Sequence, residues 1–382
     1  MRFRWWFVSM GITVGIILAS MIYLGNFLCV PVENNTCISF LGGTETMMQT
    51  SSKYGLTLSS DNGSANVVVN PNTNRIYVAN EVSHTISVMD GNTNTKIADI
   101  PTNGMPFKMA INPNTNRIYV TEVNRPDNKH NDTILVVDGT NNNKIAEIQS
   151  VIFSQIAINQ KTNLVYVIGY KTSTGIEQNG TLSVMDGNNN TKIAQLQIGW
   201  NPFGIAVDSN TNLIYVLNKH YPVNSKRENS TVSVIDGSKN TKIADIQVGI
   251  NPAGIAVNPN THRIYVSNYG GQTVSVIDGI SNSITGKPIL LGPGIEGMAV
   301  NPITNRIYVA DGLTSTVYVI DGNTDTKIQE IHPLYSWNVA VNPVTSKIYV
   351  PSYFFNNISI IDEKSYNITS VIQLGPYPGN IK

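Results

Sequence analysis

The sequence predicts an all-β, seven-bladed β-propeller of four-stranded antiparallel blades, preceded by an N-terminal transmembrane helix. Three observations predict the propeller. The line Asn70-Pro-Asn-Thr-Asn-Arg-Ile-Tyr-Val returns in variants that begin at Asn112, Asn159, Asp208, Asn258, Asn301 and Asn342, seven copies in all. Their spacings of 42, 47, 49, 50, 43 and 41 residues lie in the range of propellers and solenoids, ~40 to 50 residues per repeat. Each unit breaks into short β-rich runs bounded by Pro, Gly and Asn, and no window beyond the amino terminus keeps a helical period.

Within one unit the order of strands follows from composition. The run Gly254-Ile-Ala-Val257 alternates small residues and suits the crowded inner position. Ile264-Tyr-Val-Ser-Asn268 and Thr273-Val-Ser-Val-Ile-Asp278 supply the second and third strands. Runs such as Lys242-Ile-Ala-Asp-Ile-Gln-Val248 set polar residues between apolar ones, which fits an outer edge. The third run ends in Asp in every unit, at Asp90, Asp138, Asp186, Asp236, Asp278, Asp321 and Asp362. Seven copies argue for turn chemistry, with Asp bonding backbone amides and the following Gly expected to supply a positive φ. Two segments compete to close the ring: residues 368–374, a fourth strand for the last unit, and Tyr54-Gly-Leu-Thr-Leu58 upstream of the first.

The strings Ile76-Tyr-Val-Ala-Asn80, Ile118-Tyr-Val-Thr-Glu122, Val165-Tyr-Val-Ile-Gly169, Ile214-Tyr-Val-Leu-Asn218, Ile264-Tyr-Val-Ser-Asn268, Ile307-Tyr-Val-Ala-Asp311 and Ile348-Tyr-Val-Pro-Ser352 resemble the YVTN family of β-propeller repeats. The chain is also similar to archaeal surface-layer propellers and, more distantly, to the lactonase-like seven-bladed group. The resemblance covers residues 61–382 and implies the fold strongly and a function weakly.

The amino terminus implies an address. Residues 5–28 carry no formal charge, follow Arg2 and Arg4, and precede the first acid, Glu33. Twenty-four such residues span a bilayer core at ~1.5 Å each, and the positive-inside rule then sets the rest of the chain outside. The division read from the sequence is therefore a membrane anchor over 1–28, an extracellular stalk over 29–60 and a propeller over 61–382. A cleaved signal peptide is the competing reading. Cys29 and Cys37 are the plausible disulfide pair of an oxidising compartment. Sequons at Asn34, Asn62, Asn131, Asn179, Asn189, Asn229, Asn357 and Asn367 are candidate glycosylation sites.

Composition narrows the function classes. Lys and Arg balance Asp and Glu at 25 each, which leaves no electrostatic footprint for nucleic acid. Charged residues make up only 13%, while Asn occurs 48 times, so amides and hydroxyls solvate the surface. There is no Gly-x-Ser-x-Gly elbow, His-Glu-x-x-His, P-loop or dinucleotide fingerprint. The five histidines do not share a repeat position, and no cofactor is implied. Calcium has thin candidates in Glu296, Asn66 and Asn338.

Where the repeats differ, charge accumulates. From the Val of Ile-Tyr-Val to the Asp of the third run the seven units count 12, 18, 19, 20, 12, 12 and 12 positions. All three insertions lie in the same joint of consecutive units and carry Arg125, Lys129, His130, Tyr170, Lys171, Tyr221, Lys226 and Arg227. Lengthened loops on a rigid scaffold are where sites are placed; solvated spacer loops are the plainer alternative. The joints leading into each inner strand open at the same end and hold Lys108, Trp200, Glu296 and Trp337 as further binding candidates. The function expected is a membrane-anchored extracellular binding or adhesion module, its partner a protein or glycan. The alternatives are a lactonase-like hydrolase at the channel mouth, with Glu296 as its acid, and a structural surface-layer component.

Overall fold

The computed structural model describes residues 66–123, 132–149, 155–169, 180–219, 230–352 and 355–375, together with the backbone of Asn179 and of three strands between residues 22 and 41. The chain divides into two units, Met1–Asn62 and Gly63–Lys382. In the first, Ile22–Leu24, Phe27–Val32 and Thr36–Leu41 form an antiparallel meander. Its register sets Cys29 opposite Ser39 and Cys37 opposite Pro31; pairing of their side chains lies outside the described residues. Among the described residues no helix is long and apolar enough to cross a membrane. Most of the expected anchor, residues 1–21 and 25–26, lies outside them, and its remainder is strand.

The second unit is the seven-bladed propeller. Every blade is one antiparallel sheet of four consecutive strands. Blade 1 runs Val67–Asn70, Arg75–Asn80, Thr85–Asp90 and Thr95–Pro101, and blade 7 runs Ala340–Asn342, Lys347–Ser352, Asn357–Asp362 and Ile368–Gln373. The first strands of neighbouring blades touch in an unbroken ring that ends where blade 7 meets blade 1. The fourth strands lie outermost, with their polar residues exposed.

The apolar cores lie between blades. Tyr77, Ile86 and Val88 of blade 1 pack with Met109, Ile118 and Val120 of blade 2. On the other side of blade 1, Val67, Ile76 and Met89 pack with Tyr349, Ile358, Ile360 and Leu374 of blade 7. Residues 368–373 are thus the closing strand, paired within their own blade, and the ring shuts by packing with no exchange of strands. The competing segment, residues 54–58, lies outside the described residues. All seven repeat tyrosines are fully buried in these seams.

In blades 1, 2, 3, 4 and 6 the outermost strand carries a β-bulge at one shared place, on Ile97, Ile145, Ile193, Ile243 and Ile328. These isoleucines are 41–55% exposed. A bulge increases local twist and blunts an edge that would otherwise template another strand.

The end of the propeller that carries the Asn-Pro and Asp-Gly turns is called the base, the other the mouth. At the base the amide-rich composition finds its reason. The first Asn of each repeat accepts from the amide two residues on, as Asn70 Oδ1 does from Asn72 N at 3.0 Å. Its Nδ2 donates to the turn Asn of the next blade: Asn70 to Asn116, Asn112 to Asn163, Asn159 to Asn212, Asn258 to Asn305 and Asn342 to Asn74, all at 2.7 Å. Two joints are varied. His262 Nδ1 lies 2.6 Å from Asp208 Oδ2, and Asn301 Nδ2 donates to both oxygens of Glu363 at 2.9 and 2.7 Å. Seven hydrogen-bonded joints therefore link seven blades into a ring.

The expected turn chemistry is half corrected. Each Asp caps its turn, as Asp90 Oδ1 accepts from Asn92 N at 2.7 Å. The Gly after it does not supply the positive φ; Asn94, Asn142, Asn190, Asn240 and Asn282 do, four residues beyond the Asp, and Gly286 is the one positive-φ Gly among the described residues. Gly91 is required by contact instead, because a Cβ there would lie 2.3 Å from Asn74 Oδ1. Blade 7 departs from this rule with Glu363 in place of the Gly and Ser346 in place of the turn Asn. The Glu363 carboxylate uses the vacated space and accepts from Thr304 Oγ1 at 2.6 Å and Tyr308 Oη at 2.7 Å.

Candidate functional site

The mouth is assembled from the starts of first strands and the ends of second strands, which antiparallel pairing brings to one level. Lys108 lies on the first strand of blade 2 (Met105–Asn112) and Glu296 on that of blade 6 (Ile295–Asn301). Both first strands shift register here, between Pro106 and Lys108 and between Ile295 and Met298. Bulges re-aim side chains in this way. Glu81, Lys219 and Tyr269 each follow the last residue of a second strand, in blades 1, 4 and 5, and Asp311 ends that of blade 6.

These groups act on one another electrostatically. Burial pushes the Lys108 ammonium below its ordinary value, opposed by the charges of Glu81 and Glu296. Burial pushes the Glu296 carboxyl up, opposed by Lys219 and Lys108 and reinforced by Asp311. The Tyr269 phenol is raised by burial and further by Glu296 and Asp311. The interacting residues come from blades 1, 2, 4, 5 and 6 and all stand at the mouth ends of their strands. Two cations have aromatic neighbours: Lys219 Nζ stands 3.4 Å from the Phe203 ring centroid and Lys108 Nζ 5.0 Å from that of Phe107. Such contacts hold an ammonium partly out of water.

The candidates from sequence separate into groups. Lys108 and Glu296 meet in one electrostatic site. Trp337 lies beside it, half-buried: its ring covers Gly312, where a Cβ would come within 2.2 Å, and its carbonyl accepts from Gly297 N at 3.1 Å. It thereby joins the loop entering blade 7 to blade 6. Trp200 is 49% exposed at the end of the fourth strand of blade 3. Arg125, Lys129, His130, Tyr170, Lys171, Tyr221, Lys226 and Arg227 lie outside the described residues, as do Asn34, Asn62, Asn131 and Asn229. Asn179 begins a strand, Asn189 and Asn367 are exposed, and Asn357 is only 4% exposed.

For calcium the amides prove structural. Asn66 Oδ1 accepts from Met109 N at 2.9 Å, tying blade 1 to blade 2, and Asn338 Oδ1 accepts from Val339 N at 2.8 Å. Among the described residues no three His, Cys, Asp or Glu converge as metal ligands.

Sequence reasoning missed Glu81, Lys219, Tyr269 and Asp311. The signal was available: superposing the repeats on Ile-Tyr-Val shows these residues at or just after a variable position, held by Asn in three of the seven repeats. Glu122 shares that position and is structural, its oxygens accepting from Asn103 N at 3.1 Å and Thr133 Oγ1 at 2.8 Å.

No protein-family model matches the chain, and no curated protein matches it. Solved structures do. A chain of Kuenenia stuttgartiensis hydrazine synthase superposes with a TM-score of 0.65 at 17% identity, covering 85% of this chain and 99% of that one. The U3-55K structure gives a TM-score of 0.58 at 13% identity, covering 77% of this chain and 90% of that one. At these identities the likeness is one of fold, and the fold is the propeller.

Proposed function

We propose that the chain is a binding propeller of the YVTN repeat type, held on the outside of the cell membrane by residues 1–28, that takes an extracellular protein or glycan at its mouth. One observation carries the reading: the three lengthened joints open at the same end as the half-buried Lys108 and Glu296. The side chains at that end change from blade to blade, on a scaffold whose other end is uniform. Four of the seven blades make the same connection in 12 positions, so added length there is not needed for folding. A second reading, a hydrolase at the mouth, rests on the same pair, since burial moves the carboxyl up and the ammonium down, the directions that proton transfer between substrate and side chain calls for.

Removing residues 124–129, 171–177 and 221–228 brings all three joints to the short length. The trimmed protein is expected to keep its melting transition and to lose binding to intact cells or envelope material by at least tenfold. A folded, trimmed protein that binds like the parent contradicts the reading and supports spacer loops.

A further inference from the structure

We propose that the mouth rim of blades 6 and 7 rests on the lipid bilayer that holds residues 5–28, and that the lengthened joints of blades 2 to 4 are the side left open to a partner. The inference rests on the anchored reading above and adds which part of the propeller meets the membrane. Four successive joints form this sector: residues 290–294 into blade 6, 312–316 within it, 333–338 into blade 7 and 353–356 within that one. None carries a charged side chain, whereas the joints within blades 2 to 4 hold Arg125, Lys129, Lys171, Lys226 and Arg227. Leu290, Leu313, Leu334 and Tyr335 are 69, 56, 48 and 44% exposed here. Half-buried rings back them: Phe355, its centroid 5.8 Å from that of Tyr335, and Trp337, which covers Gly312 next to Leu313. Tyr335 is displayed at a cost, because its φ of 33° lies in the left-handed region that a bulky residue seldom adopts. A contiguous exposed apolar patch marks an interaction surface, and two facts select the bilayer as its occupant. The first strand of blade 1 begins at the mouth, so the chain that leads on from the apolar run 5–28 enters the ring at Asn66, in the blade that packs on blade 7. The composition is also that of a bilayer interface, with leucines for the acyl region, Tyr and Trp rings that have one apolar and one polar end, and no charge to strip of water. Four such side chains bind weakly alone, but on a chain tethered to the same bilayer the contact is intramolecular.

The test is tryptophan fluorescence of the full-length chain in phosphatidylcholine vesicles, comparing Tyr335→Trp with Ile303→Trp, the latter at an exposed position in a base turn. The signal read is what each variant adds to the parent. Bromination of the lipid acyl chains is expected to quench the added signal of Tyr335→Trp by about a third or more and to leave that of Ile303→Trp unchanged. With L313D/L334D also present, the quenching of Tyr335→Trp is expected to vanish while thermal melting shows the fold retained. No quenching of Tyr335→Trp, equal quenching of both variants, or quenching that survives the two aspartates would each overturn the proposal. A dimer in detergent that L313D/L334D dissociates, with no quenching in vesicles, would give the rim to a second copy of the chain instead. Alkaline carbonate extraction of the same vesicles separates this proposal from the anchor on which it rests. If carbonate strips the chain although Tyr335→Trp is quenched, the rim contact stands and the anchor fails; if the chain resists carbonate and Tyr335→Trp is not quenched, the anchor stands and the rim contact fails.

Discussion

The base and the mouth of this propeller are built on opposite plans. At the base, five of the seven joints are the same amide pair at 2.7 Å, and the two variants keep a hydrogen bond at the same place. At the mouth the charged cluster draws Glu81, Lys108, Lys219, Tyr269, Glu296 and Asp311 from five blades with no repeated pairing, and its Lys108 and Glu296 side chains are half-buried with no hydrogen bond or ion pair among the described residues. Repetition where the ring must be held shut, and variation where a ligand would enter, show how one repeat serves two demands. The base residues lower the free energy of the folded ring. The mouth residues raise it, as functional groups commonly do.

The largest effect is expected where blade 7 meets blade 1. Leu374, 3% exposed, closes that seam with Val67 and Ile358. Leu374→Ala is expected to cost ~2 to 5 kcal/mol in denaturant unfolding, as an ordinary core deletion would. A cost below ~1 kcal/mol would mean that the seam contributes little and that the ring is held elsewhere.

A smaller effect compares two tyrosines of the same repeat position. Tyr308 donates to the buried Glu363, whereas the buried Tyr166 hydroxyl has no partner among the described residues and burial pushes its phenol up to about 12. Tyr308→Phe is expected to cost ~1 to 3 kcal/mol, because Glu363 loses a donor, and Tyr166→Phe to be neutral or slightly stabilising. Equal losses would show that packing of the ring alone matters at this position.

The smallest effect concerns pH. Backbone amides of the base turns hold Asp90, Asp236, Asp278, Asp321 and Asp362 below the ordinary carboxyl range. Since their folded values are depressed, the stability they contribute is complete above the unfolded value of about 3.9 and is lost as pH falls through the folded values. Thermal melts should therefore show no contribution from these groups to any change between pH 7 and 5, then a decline in acid that Asp→Asn substitution at these turns makes shallower.

How much of this was legible follows from repetition. Strand order, blade number and the role of the third-strand Asp were readable because each is stated seven times. The closing strand was ambiguous, since residues 54–58 and 368–374 carry the same pattern and only the register, such as Ile358 against Ile372, distinguishes the partner. The ring of amides was not legible at all, because the bond from Asn342 to Asn74 joins residues 268 positions apart and either Asn alone reads as turn chemistry. The positive φ was assigned to Gly91 and belongs to Asn94, since composition says that such a residue is needed and not which one supplies it. Of the mouth, Lys108 and Glu296 were found by their rarity. Glu81, Lys219, Tyr269 and Asp311 were missed because each stands next to or within a common strand motif.

The account turns on the claim that the base is built for stability and the mouth is maintained against it. Denaturant unfolding of the double variant K108M/E296Q, beside Asn342→Ala, tests it directly. Replacing two half-buried charges that form no ion pair by uncharged side chains of similar volume should leave stability unchanged or slightly raised, whereas removing a base amide should cost ~1 to 3 kcal/mol. The predicted result is a double variant at least as stable as the parent and a clearly weakened Asn342→Ala protein. A double variant that loses more stability than Asn342→Ala would contradict the claim and make Lys108 and Glu296 part of the frame.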